Sequence, residues 1–394
     1  MQTLLYVLLI LLSHLYICKH ITIPCSHFMK SWMLFMRSTT SNELYVQIID
    51  LESPVTVIST LSAETVPLTE TKLPTETLET ALISETVSIG DKFNIIVPNM
   101  YYYAIKKQYR KNRNCDSYSA FSLGMSDYKL SLTHILKEQK LIDKNIFSFE
   151  FYNNTNEGFL HFGTLPHSIT SKYKYKGNIK MINNNSNNIL WEFNLNYFNV
   201  NGTLYNVKVD DNDDNRKGNS FFRSIDNNIL VPSSYYKDVL SNLIGNSIDD
   251  SSCRFHSQYQ QYTCDCDEMN IVGNIVFGIG DVEVVFEGRS LFKVYDLYCI
   301  LLIKENTLGN EWVFGTTFMD RFLISFDYQT KEVTLYSNNT IGDKLLIDNI
   351  NNNNNNSQNK NYIKHICIFE IIFGSIFSAV LLSDIYIKKL GLIL

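Results

Sequence analysis

The 394-residue sequence has no cluster of basic residues: 34 Lys and Arg are scattered among 40 Asp and Glu, for a net charge of −6. Without a basic stripe nothing follows a phosphate backbone, so nucleic acid is excluded as an expected partner. There is no His-Glu-x-x-His and no Gly-x-Ser-x-Gly, the patterns that set two imidazoles on zinc or a serine on a sharp turn; the common zinc and serine hydrolases are therefore excluded. Gly278-Ile279-Gly280 precedes a β-prone run with no helix after it, which makes it a hairpin turn rather than a phosphate loop. Cys253, His256, Cys264 and Cys266 are metal-ligand types, but they lack the paired spacing of zinc sites and read as disulfide partners in a secreted chain. The acidic run 210–214 has Asn215 and Phe221 where a calcium loop needs Gly and Glu. No metal and no cofactor are expected.

What is present points to a folded, β-rich body. Apolar residues make up 45% of the chain, with 24 Tyr and 24 Phe in short runs broken by Asn, Asp, Gly and Ser, and the length suffices for two cores. The two ends differ from this body. Residues 1–18 form an apolar leader without the usual early positive charge, a signal peptide or an uncleaved anchor. Residues 366–387 are long and apolar enough to cross a bilayer despite Glu370 and Asp384, and Lys388 and Lys389 after them favour a cytoplasmic tail. Between body and span, residues 349–361 are an Asn-rich tract too polar to bury a core, read as a stalk. The expectation is a single-pass type I protein of the secretory pathway or cell surface, its body lumenal or extracellular. Sequons at Asn153, Asn184, Asn201, Asn338 and Asn355 are candidate glycosylation sites in such a body.

The most informative stretch is Trp312-Val313-Phe314-Gly315-Thr316-Thr317-Phe318-Met319, followed by the β-prone Leu323-Ile324-Ser325-Phe326-Asp327, a turn, and the alternating Val333 and Leu335. It resembles the closing segment of pepsin-like (A1) aspartic proteases. Further pieces follow in that family's order: Ser119-Ala120-Phe121-Ser122-Leu123-Gly124, Gly158-Phe159-Leu160-His161-Phe162-Gly163, and Trp191-Glu192-Phe193-Asn194-Leu195 leading to Val200-Asn201-Gly202. The resemblance implies a mostly β, bilobal pepsin-like fold with a shortened N-terminal lobe (43–203), a C-terminal lobe (204–340) and the C-terminal transmembrane helix. It also implies a Cys266–Cys299 disulfide; in a secreted chain Cys253–Cys264 is a further pairing, and Cys25 and Cys115 are left over, able to pair across the first lobe if the leader is cleaved after Cys18.

The residues that carry the family's chemistry are a different matter. Aspartic proteolysis needs two carboxyl groups sharing a proton, one to activate water and one to polarise the substrate carbonyl. Aligned on the strand Val55-Thr56-Val57-Ile58-Ser59, the first aspartate position is Thr60; counted back from Pro232, the second is Arg223, with Ser224 and Ile225 after it. The flap position, a tyrosine in the family, is Leu73. Thr60 is no base and a guanidinium only donates. This points to a membrane-anchored homologue without catalysis that binds a peptide or protein, with Arg223 favouring an acidic group. The alternative is an active endopeptidase whose dyad is Asp50 and Asp226, although neither has the Gly two residues on. A third reading is a structural membrane protein.

Overall fold

The computed structural model describes residues 20–28, 31–52, 56–60, 69–72, 77–90, 95–106, 120–124, 131–152, 157–182, 190–207, 218–257, 259–295 and 298–338. The described residues all belong to one compact unit. The leader, the Asn-rich tract and the 366–387 segment lie outside the described residues; among the described residues no helix is long and apolar enough to cross a membrane.

The unit is mostly β. Among the described residues the largest sheet has 13 strands, the second eight and a third four. Period-two patterning builds them: in Leu44–Asp50, Tyr45 and Ile49 point inward while Leu44 and Val46 stay exposed. The strands Phe322–Asp327 and Glu332–Asn338, near the chain's end, join the 13-stranded sheet beside Ile146–Tyr152, so the two halves of the chain share one sheet. A cluster of aromatic side chains fills the join. Phe147 stacks on Phe326 at 4.7 Å, Trp191 meets Phe326 edge-on at 4.9 Å, and Phe222 meets Phe326 edge-on at 5.6 Å, the offset and perpendicular arrangements aromatic rings prefer.

The two lobes repeat one strand plan. In the first, Leu44–Asp50 pairs parallel with Ala120–Ser122, and that strand pairs antiparallel with Val57–Thr60. In the second, Asn219–Phe222 pairs parallel with Trp312–Phe314, and that strand pairs antiparallel with Ile229–Pro232. Each plan leaves a loop between its first and second strands, and both loops reach the lobe junction.

Two sequence expectations change here. Residues 21–41 contain two sheet strands, Ile21–Phe28 and Ser31–Ser38, so the first lobe begins upstream of residue 43. Cys25 is a free, buried thiol, because its strand lies inside the sheet between Glu157–Phe162 and Ser31–Ser38. After Pro232 the chain forms the helix Ser233–Asp249, with a kink at Ile244 where backbone angles leave the helical range.

A half-buried acid lies near Trp32 and Lys293. Asp320 follows the short helix Thr316–Met319, and its Oδ1 has no hydrogen-bond partner among the described residues. Burial raises its pKa from the ordinary carboxylate range to about 7, opposed only in part by Trp32 and Lys293. A raised folded pKa means this group favours the fold while protonated, fully in acid, and that contribution is lost as pH climbs through about 7. Asp320→Asn should therefore flatten the pH dependence of urea unfolding between about pH 4 and about pH 8 and gain most at the upper end. Equal midpoint changes at both pH values would show that the acid is ionised in the fold throughout.

Candidate functional site at the lobe junction

The shared strand plan aligns the two loops residue by residue. Asp50 lies opposite Ser122 in the first lobe; Phe222 lies opposite Phe314 in the second, and Arg223 N–H donates to the Phe314 carbonyl at 3.0 Å. Seven positions separate Asp50 from Val57, which pairs with Ala120, and seven separate Arg223 from Leu230, which pairs with Val313. Asp50 and Arg223 thus occupy equivalent places, as do Leu51 and Ser224, and Glu52 and Ile225.

The loops meet through one hydroxyl. Ser224 Oγ donates to the Ile49 carbonyl at 2.7 Å and accepts from the Leu51 amide at 3.0 Å, and both Ser224 and Leu51 are fully buried. The matching residue of the first lobe, Leu51, has no hydroxyl to return the contact. Thr60 is elsewhere: it ends the strand Val57–Thr60 and pairs with Lys106. The residue set against the Arg223 loop is Asp50, not Thr60. The alignment moves because Val57–Thr60 is the strand leaving the loop, whereas the sequence reading took that apolar run for the strand entering it.

Around Arg223 the chemistry is one cation among acids. Its Nε and Nη2 donate to the two carboxylate oxygens of Glu52, the latter at 3.0 Å, in the fork geometry that suits guanidinium and carboxylate. The guanidinium carbon also lies 5.3 Å from the centre of the Phe221 ring. Burial works against the charge, but Glu52, Asp226 and Asp50 outweigh it and hold Arg223 protonated more firmly than usual. The acidic group that Arg223 holds is therefore one from its own chain.

The two candidate dyad members face their own loops. Asp50 Oδ1 accepts from the Glu52 amide at 2.8 Å, and the Asp50 carbonyl accepts from Leu123 N–H. Asp226 Oδ1 accepts from Asn228 N at 3.0 Å and from Asn228 Nδ2 at 2.7 Å, an Asx-type turn. A buried amide chain supports that turn, since Gln261 Nε2 donates to Asn228 Oδ1 at 2.6 Å and to the Leu301 carbonyl at 3.0 Å. Gly315 completes the loop: its N–H donates to Asn228 O, and any Cβ there would run into the carbonyls of Asn228 and Asp226. Glu52, Gln261 and the Ser224 bridge were not singled out by sequence reasoning. None had a local signal, because each contact joins residues far apart in the chain.

The other candidates divide. Cys266–Cys299 and Cys253–Cys264 are both disulfides, and Cys264 and Cys299 face each other on paired strands. Such bridges persist in oxidising compartments, as in secreted and extracellular proteins. Asn201 is exposed in a tight turn at positive φ. Asn338 ends the strand Glu332–Asn338. Leu73, Asn153, Asn184, Asn355 and Cys115 lie outside the described residues. Among the described residues no three His, Cys, Asp or Glu side chains converge as a metal site.

The fold and its paired loops define a two-lobed β protein built on a duplicated loop motif. The eukaryotic aspartyl protease family matches residues 84–337, and the chain belongs to that family. Its fold is similar to that of the aspartic proteinase from Irpex lacteus, with a TM-score of 0.61 and 12% sequence identity over 81% of this chain and 98% of that one. No curated protein matches the chain.

Proposed function

We propose that this protein is a catalytically silent, membrane-anchored aspartyl protease homologue that binds a peptide or protein where its two lobes meet. The observation that carries the proposal is the Arg223–Glu52 fork opposite Asp50. The paired loops give Asp50 and Arg223 equivalent places, so a carboxylate faces a guanidinium where the family's chemistry needs two carboxyls. A guanidinium accepts no proton near neutral pH, and Glu52 takes its Nε and Nη2 donors. Losing one member of a catalytic unit typically costs several orders of magnitude in rate. Asp226 is a poor substitute, because its carboxylate is committed to Asn228.

The leader, the 366–387 segment and the sequons support an anchored, glycosylated ectodomain in the secretory pathway. Binding is tested by incubating the purified full-length protein with a mixed peptide library and identifying what co-elutes after gel filtration. Intact peptides that Arg223→Glu no longer retains are the expected result. An empty protein from a folded sample would favour the structural reading instead.

A further inference from the structure

On the far face of the 13-stranded sheet, Glu150 is almost wholly buried. It accepts hydrogen bonds from Tyr152 Oη at 3.0 Å and Tyr173 Oη at 2.5 Å, and it meets His161 Nε2 at 3.1 Å. With Nε2 set against the Glu150 carboxylate, it is Nδ1 of His161 that faces His20 and Thr22. That Nδ1 lies 3.3 Å from His20 Nε2 and 3.0 Å from Thr22 Oγ1, and Thr22 Oγ1 lies 3.0 Å from His20 Nε2. Strand pairing enforces the triangle, since Thr22 sits directly opposite His161.

We propose that His20 Nε2 and His161 Nδ1, with the Thr22 hydroxyl beside them, are the protein ligands of a divalent transition-metal ion, best suited to Zn2+. An ion held about 2.0–2.1 Å from each nitrogen, as zinc is by histidine, would see these two atoms at close to a tetrahedral angle. Glu150 is the outer carboxylate that orients a metal-binding imidazole, and the two tyrosines hold Glu150 in turn. Imidazole pairs favour borderline metals over the hard, oxygen-seeking Mg2+ and Ca2+. His161 is buried and His20 half-buried, so an ion enters from the His20 side, where Asp143 adds negative charge, and water completes the coordination.

The test uses the full-length protein, stripped with a chelator and titrated with ZnCl2 or MgCl2 against a chromogenic competitor. One equivalent of Zn2+ and no Mg2+ should bind. His20→Asn, at a half-exposed position, should remain folded and lose the Zn2+. Glu150→Gln should weaken Zn2+ binding by about 10–100-fold while the unfolding midpoint without metal reports its fold separately. No Zn2+ uptake by folded parent protein, or uptake unchanged in His20→Asn, would overturn the site and leave the triangle as a hydrogen-bond chain.

Discussion

Replacing Arg223 with Met should destabilise the protein by about 2–3 kcal/mol at neutral pH, and the deficit should shrink in acid. Breaking a buried ion pair by removing one partner costs about 3–5 kcal/mol. The lower figure applies because the Arg223 and Glu52 side chains retain 23% and 18% exposure, which lets solvent screen part of the charge. Without the guanidinium, Glu52 loses its fork and no longer shares a cation with Asp50 and Asp226. Three acidic groups are then left with no cation among them, a charge cost that acid removes by neutralising carboxylates. Urea midpoints at about pH 7 and about pH 4 check this sign. A deficit of equal size at both would mean that the arginine contributes packing rather than charge.

Ser224→Ala is the second large effect. The change removes one oxygen and leaves two buried backbone groups, the Leu51 N–H and the Ile49 carbonyl, without the partner that joins the lobes. An unsatisfied buried polar group costs about 1–3 kcal/mol, so a loss of about 2–4 kcal/mol is expected. Because the Leu51 amide is held from the other lobe, its hydrogen exchange should accelerate more than that of amides inside the Phe322–Asp327 strand. If exchange at Leu51 is unchanged, the hydroxyl does not couple the lobes.

Much of the fold was legible in the sequence because its signals are local. The alternating strands, the Trp312-Val313-Phe314-Gly315 ending and the Asn201-Gly202 turn each follow from period and turn chemistry over a few residues. The second-lobe loop was legible too, since Pro232 marks its end and Arg223 could be counted back from it. The first-lobe loop was misaligned. Val57–Thr60 and the end of Leu44–Asp50 are both short apolar runs, and which one enters the loop depends on pairing with Ala120–Ser122, about seventy residues away. Glu52 was passed over because its partner lies in the other lobe, and no local pattern records a contact of that range. The triangle of His20, Thr22 and His161 escaped for the same reason: sheet pairing brings together residues that no spacing rule connects.

The account rests on Asp50 facing a clamped arginine rather than a second working carboxyl. The most direct measurement is cleavage of a mixed peptide library by the purified protein, from acid to neutral pH, with and without pepstatin. We predict no pepstatin-sensitive cleavage from a folded sample at any pH. Cleavage that pepstatin blocks and Asp50→Ala abolishes would contradict the account and identify an aspartic endopeptidase with one orthodox carboxyl and an unorthodox partner.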